Sequence, residues 1–377
     1  MSFRYASGIN KPGFNPLATQ TSVTTYQPYL YTWGQNTQGQ LGLGNTTSYS
    51  SPKQVGALTT WLKIASGYGS NIAVKTDGTL WSWGYNAQGG LGLGNTTLYS
   101  SPKQVGSLTN WSTVDSGSIF SLAVKTDGTL WTWGANDYGE LGLGNITNYS
   151  SPKQVGALTT WLNIAGGYVH SIATKNDGTL WAWGKNPYGQ LGLGDITNRS
   201  SPVQVGALTN WLLVAAGSYF TLATKTDGTL WAWGRNNNGQ LGIGDVTNRS
   251  SPVQIGSLTT WSKIACGASF TLATKNDGTI WSWGRGNEGE LGLSNTTSYS
   301  SPKQVGALTT WLNVAGGAYF TLATKTDGTL WSWGNNSSGG QLGLGNTTNY
   351  SSPKQVGSLT TWLNIACGNY HGVATLY

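Results

Sequence analysis

The sequence has little charge and almost no sulfur. Only 9% of its 377 residues are charged, and it holds two cysteines, one methionine and two histidines. So few titratable side chains leave little from which to build metal or acid–base chemistry. Cys266 and Cys367 share one phase of a repeat whose other copies carry Ser66, Ser116, Gly166, Ala216 and Gly316. A position restricted to small residues reads as a packing site, and equivalent sites two units apart do not meet disulfide geometry. Long apolar runs are also missing. No stretch approaches the roughly eighteen apolar residues of a membrane span, and the opening MSFRYASGINKPGFNPLATQ has no apolar h-region. Neither a Sec signal nor membrane insertion is expected.

Glycine and tryptophan are plentiful, at 56 and 20 residues. That profile fits short strands joined by tight turns, with no long helices. Self-comparison gives a period of fifty residues, marked by the WG tryptophans Trp33, Trp83, Trp133, Trp183, Trp233, Trp283 and Trp333. One added residue in SSGGQ lengthens the seventh copy.

Within a unit, SLAVKTDGTLWTWG reads as two alternating strands around a two-residue Asp-Gly connection, the first of six being Asp77-Gly78. GQLGLGNTT then leads to SSPKQVG, and a run such as WLNIAGG ends the unit. Four short strands per fifty residues make one propeller blade, so the expected fold is an all-β, seven-bladed β-propeller. The chain ends in HGVATLY, whose partner strand PYLYTWG lies at residues 28–34. Pairing of the N- and C-terminal strands is expected to close the ring, leaving no open sheet edge. Residues 1–27 are read as an extended N-terminal segment and 28–377 as the propeller.

Every tryptophan belongs to the repeat, in LWxWG or in TTW and TNW steps, so a tryptophan ladder is expected between neighbouring blades. The formal charge of +7 raises the question of nucleic acid. Six of the basic residues, Lys75, Lys125, Lys175, Lys225, Lys275 and Lys325, each stand two residues before an aspartate. They are spread around the ring and locally compensated, which argues against a nucleic-acid groove.

The run LWxWGxNxxGxLGLG, followed by SPKQV and by AxG with an aromatic residue or histidine three positions on, resembles the regulator-of-chromosome-condensation repeat over residues 28–377. The resemblance implies the propeller fold and leaves function open, because such propellers serve unrelated roles. Guanine-nucleotide exchange on a small GTPase relies on individualised loops and a protruding wedge, whereas these loops are nearly equal in length. The plant ultraviolet-B photoreceptor uses a Gly-Trp-Arg-His-Thr step where this chain has GSYFTLA or GAYFTLA. The secreted β-lactamase inhibitors of this fold carry an export signal not seen here. The opening SFRYASGINKPGFNPL is similar to that of structural proteins from marine tailed phages, which implies a virion location, with an intracellular, cytoplasmic regulator as the alternative.

No paired carboxylates in a general acid/base arrangement, no His-x-x-x-His step and no nucleophile with a histidine partner is seen, so neither an enzyme nor a metal or cofactor site is expected. GLGLG resembles a phosphate-binding loop but lacks the helix and the Gly-Lys-Ser/Thr end, and reads as bends and close backbone approaches. His170 and His371 align with Phe120, Phe220, Phe270 and Phe320, which makes theirs a packed aromatic position.

Differences between copies point to surfaces released from packing. The residue after WG and the loop before SSP both turn basic in adjacent copies: Lys185, Arg235 and Arg285, with Arg199 and Arg249. Elsewhere the second position holds tyrosine, as in Tyr49, Tyr99 and Tyr149. These eight residues form the candidate partner-binding set, a positive sector on a tyrosine-rich rim suited to a virion subunit or an anionic host-surface glycan. Asp195 and Asp245 accompany Arg199 and Arg249 four residues earlier, so local salt bridges are the competing reading.

Overall fold

The computed structural model describes residues 28–58 and 60–377; the N-terminal segment 1–27 lies outside the described residues. The described chain forms seven four-stranded antiparallel sheets arranged as the blades of a propeller, and it contains no helix. Blades are numbered here by their WG tryptophan, so that blade 2 comprises Trp61–Ser66, Ser70–Lys75, Leu80–Gly84 and Tyr99–Gln104, from the channel outwards. Blade 1 is composite. Its inner strands, Trp362–Cys367 and His371–Leu376, come from the C-terminus, and its outer strands, Tyr29–Gly34 and Tyr49–Gln54, come from the N-terminus. The seam runs in register from Tyr29 opposite Leu376 to Gly34 opposite His371, closing the ring as the sequence implies.

The Asp-Gly turns differ from the expected two-residue connection. Gly78 N–H donates to Lys75 O at 2.9 Å and Lys75 N–H donates to Thr79 O at 3.0 Å, so Thr76, Asp77 and Gly78 form a three-residue loop. A two-residue type I′ turn would need positive φ at both central residues. Only Gly78 has it, at +75°. Asp77 instead keeps negative φ and accepts from the Thr79 amide at 2.9 Å and the Thr79 hydroxyl at 2.6 Å. Nor do the second strands alternate as read. Ser70–Lys75 is buried at every position, because each blade is sandwiched between two others.

Tryptophan fills the inter-blade space. Trp83 is fully buried beside Trp61, in a cluster that also takes Leu30, Val55 and Val373 from blade 1. Trp61 meets Trp81 and Trp83 edge to face, with centroids 6.2 and 5.8 Å apart. The Trp83 indole donates to Gln40 O of the preceding blade at 3.0 Å, so the loop after one WG step becomes the wall against the next blade's tryptophan. Glycine is required there: Gly42 has φ +71°, and a Cβ on it would lie 2.8 Å from the Trp83 indole nitrogen.

The repeated lysines are satisfied chiefly by this aromatic layer rather than by their neighbouring aspartates. Lys75 Nζ sits over the Trp81 ring at 3.6 Å and the Trp61 ring at 4.8 Å. Burial lowers its pKa, against a smaller upward pull from Asp77.

His170 and His371 occupy the packed aromatic position expected of them, both at 0% exposure. Thr221 Oγ1 donates its one proton to Gln190 O at 2.9 Å, so its 3.0 Å contact with His170 Nε2 requires the proton on that nitrogen. His371 Nε2 likewise lies 2.9 Å from Asn71 Oδ1 in the next blade. Neither Nδ1 has a partner, and burial holds both rings neutral, with pKa values of about 3. Cys266 and Cys367 are free thiols on the channel wall, held protonated by burial.

Candidate binding face

Each blade's innermost strand ends at a small residue, turns through Gly67 or its equivalents, and starts back outwards three or four residues later. These turns surround one mouth of the central channel, a cavity of about 340 Å³. Its floor is knitted from blade to blade: Tyr68 N–H donates to Ser118 O at 2.8 Å, Ser118 N–H to Gly167 O at 3.3 Å and Tyr168 N–H to Gly217 O at 3.3 Å. Ser218, Ala268 and Ala318 continue the pattern. The residue after each WG step arrives beside these turns, since Lys185 N–H donates to Val169 O and Arg235 N–H to Tyr219 O.

Tyrosines stand over this floor in two groups. In blades 4 and 5, Tyr219 lies 5.8 Å from Tyr168 and 5.4 Å from Tyr188. Across blades 7, 1 and 2, Tyr319 lies 6.4 Å from Tyr370, whose pKa is raised by burial first and then by the nearby Tyr319 and Tyr68. Tyr68 and Tyr168 are 43% and 44% exposed, so these rings are surface and not core. Cations lie against them. Arg235 sits 5.1 Å over Tyr188 and 5.9 Å over Tyr219, and Lys185 lies 3.8 Å over Tyr138.

Residues 18–261 match the RCC1-like domain, and residues 277–324 and 327–375 match the regulator of chromosome condensation (RCC1) repeat. The chain belongs to the RCC1 repeat family. A search of curated proteins finds no match. Among solved structures, human WBSCR16 superposes with a TM-score of 0.83 at 22% identity, covering 93% of this chain and 98% of that one. Prp20p from Saccharomyces cerevisiae gives 0.81 at 22% identity, over 94% and 92%. Yeast RCC1 (Prp20) bound to Kap60 gives 0.83 at 21%, over 100% and 96%. At these identities the likeness shows the fold.

On this RCC1-type propeller the eight sequence-derived residues separate. Arg235 and Arg285 lie over the mouth tyrosines Tyr219 and Tyr319, while Lys185 lies over Tyr138 of blade 3, outside the mouth's lining. Arg199 and Arg249 begin the outermost strands and form ion pairs with Asp195 at 2.6 Å and Asp245 at 2.5 Å. Those exposed pairs contribute about 0–1 kcal/mol each. Tyr49, Tyr99 and Tyr149 occupy the same outer position in blades 1, 2 and 3. Each hydroxyl lies 3.3–3.5 Å from the amide of Asn45, Asn95 or Asn145, and each ring lies under Lys53, Lys103 or Lys153. Arg285 is over Tyr319 at 4.4 Å but is neutralised by Glu290 at 2.7 Å and Glu288 at 3.5 Å. Among the described residues Lys185 and Arg235 form no salt bridge, although Lys185 exerts a weak pull on buried Glu140.

The mouth tyrosines escaped the sequence reading. They fall at two adjacent repeat positions, Tyr68 and Tyr168 at one and Tyr219, Tyr319 and Tyr370 at the next, so neither column alone stands out. Among the described residues no group of three or more histidine, cysteine or acidic side chains gathers as a metal site.

Proposed function

We propose that this propeller is a non-enzymatic binding module on a phage virion, at the capsid surface or the tail, and that its channel-mouth face contacts another virion protein or the host surface. The observation that carries the binding reading is the convergence of Lys185 and Arg235, free of salt bridges among the described residues, with tyrosines from five blades on one concave face. Tyrosine and arginine supply contact area at small conformational cost, and charge on such a face governs encounter and register. The virion location rests on the opening SFRYASGINKPGFNPL. A second reading, an intracellular regulator of a small GTPase or of chromatin, draws on a neighbour: the Prp20p structure is described together with that protein's binding to Gsp1p and histones.

Antibody labelling of intact particles, imaged by electron microscopy, tests the choice. Label at a fixed place on the virion is expected. Label confined to the cell interior overturns the virion role and favours the regulator.

A further inference from the structure

The aromatic ring around the mouth is interrupted at two places. Blade 3 carries Ser118 and Ile119, and blade 6 carries Ala268 and Ser269, where the other five blades supply a tyrosine. The tyrosines of these turns therefore form two arcs, blades 4–5 on one side and blades 7, 1 and 2 on the other, with a passage between them that enters over blade 3, beside Tyr138 and the Lys185 stacked on it, and leaves over blade 6. One arc is cationic. Arg235 lies over Tyr188 and Tyr219 and Lys185 over the adjacent Tyr138, whereas Arg285, at the blade 6 exit, is held by Glu288 and Glu290.

We infer that this passage binds an acidic oligosaccharide, laid across the mouth from blade 3 to blade 6 with its carboxylates or sulfates toward Lys185 and Arg235. The inference rests on the binding-face reading above and names the ligand class. The aromatic arcs suit sugar rings, whose C–H faces carry weak positive charge and meet the negative face of a π-system. The phenol hydroxyls of Tyr68, Tyr168, Tyr219, Tyr319 and Tyr370 make no hydrogen bond within the described chain, which leaves donors and acceptors for sugar hydroxyls. An extended peptide finds less. The turn amides of the floor already donate to the next blade at six junctions, so they offer no ladder for strand addition. The channel beneath is lined by small residues such as Gly67, Ser66 and Ala216, with no valine, leucine, isoleucine, methionine or phenylalanine to grip a side-chain anchor.

Binding is measured on the full chain by saturation transfer and titration calorimetry with four probes: a hexuronate tetrasaccharide, the matched neutral tetrasaccharide, inorganic sulfate and a glutamate-rich hexapeptide. The hexuronate is expected to bind about tenfold tighter than the neutral sugar. Lys185→Ala with Arg235→Ala removes that preference and leaves neutral binding, while Tyr168→Ala or Tyr219→Ala weakens both sugars by about tenfold. Arg199→Ala with Arg249→Ala, at the outer rim, changes neither.

The inference is overturned if neither sugar saturates, if the hexapeptide binds better than the hexuronate, if sulfate alone binds as tightly, or if the outer-rim variant matches the mouth variant. If the sugars fail while Lys185→Ala with Arg235→Ala still strips the protein from particles, the carbohydrate falls and the binding face stands. If the sugars bind as expected but the protein never labels particles, the virion role falls and the site stands.

Discussion

Two buried histidines make the fold sensitive to mild acid by an amount that can be worked out. His170 and His371 have their pKa lowered by burial from 6.5 to about 3. The unfolded chain therefore takes up two protons below pH 6.5 that the native chain refuses. The stability at stake is fully present above that pH and is lost as pH falls toward 3. Each ring costs about 1.4 kcal/mol per pH unit inside that window, so at pH 5 the loss is about 2 kcal/mol per ring and about 4 kcal/mol for both. Asp115 opposes this. Burial raises its pKa from 3.8 to about 6, so the fold gains stability as pH falls between those values. A wild-type profile mixes the two, and a difference between wild type and variant isolates the histidines. The repeat supplies the replacement: Phe220 beside Thr271 occupies the junction equivalent to His170 beside Thr221, so His170→Phe copies an arrangement already in the ring. His371→Phe needs Asn71→Thr to do the same, because Asn71 otherwise loses its ring partner. Urea unfolding followed by tryptophan fluorescence from pH 8 to 4.5 is expected to show the variants' advantage growing as pH falls, by about 1.4 kcal/mol per unit for each ring. A pH-independent difference, or a histidine resonance titrating near 6.5 in the native state, would refute the reasoning.

Two further predictions concern the backbone. Ser294 is the one non-glycine residue with positive φ among the described residues, +62°, at a position that is glycine in the other six copies. Ser294→Gly is expected to raise stability by about 0.5–1 kcal/mol, measured as a shift of the urea midpoint at constant m-value. Gly192 has φ +74°, and a Cβ there would lie 2.7 Å from the Trp233 indole nitrogen. Gly192→Ala combines left-handed strain with a clash against a fully buried ring, and a loss of about 2–4 kcal/mol is expected by the same assay.

The architecture was legible because each of its signals is local and recurs. The WG steps, the Asp-Gly turns and the divided seventh unit all point to one closed ring, and the pairing of Tyr29–Gly34 with His371–Leu376 follows from matching the two ends to one repeat. The misread details turn on single interactions. In the sequence Asp77 reads as half of a two-residue turn, but its carboxylate finds the Thr79 amide and hydroxyl without left-handed backbone. The spacing to Asp77 makes Lys75 read as locally compensated, yet it lies against Trp81, a contact that exists only once strands 70–75 and 80–84 pair. The candidate surface is legible in part. Lys185 and Arg235 stand out as departures from the repeat, and so do Arg199 and Arg249, whose expected local partners Asp195 and Asp245 change in the same copies and do pair with them. Column-by-column comparison cannot tell a free cation from a bridged one unless the partner changes in the same copy.

The mouth tyrosines show why function is harder to read than fold in such a chain. A position inside a blade meets the same neighbours seven times over, so packing keeps it uniform: Trp33, Trp83, Trp133, Trp183, Trp233, Trp283 and Trp333 are all fully buried. The turn at the mouth is under no such constraint, and either of two adjacent residues can carry a ring to the same surface, Tyr168 in blade 4 and Tyr219 in blade 5, 5.8 Å apart. Symmetry thus builds the frame, and what the face distinguishes lies in the departures from it. Blades 3 and 6 lack the tyrosine at this turn, blades 4 and 5 hold the cations that form no salt bridge among the described residues, and blade 6 neutralises its own. A sevenfold ring cannot orient a linear ligand; a ring broken at two points with charge on one side can, and the proposed recognition rests on that broken symmetry.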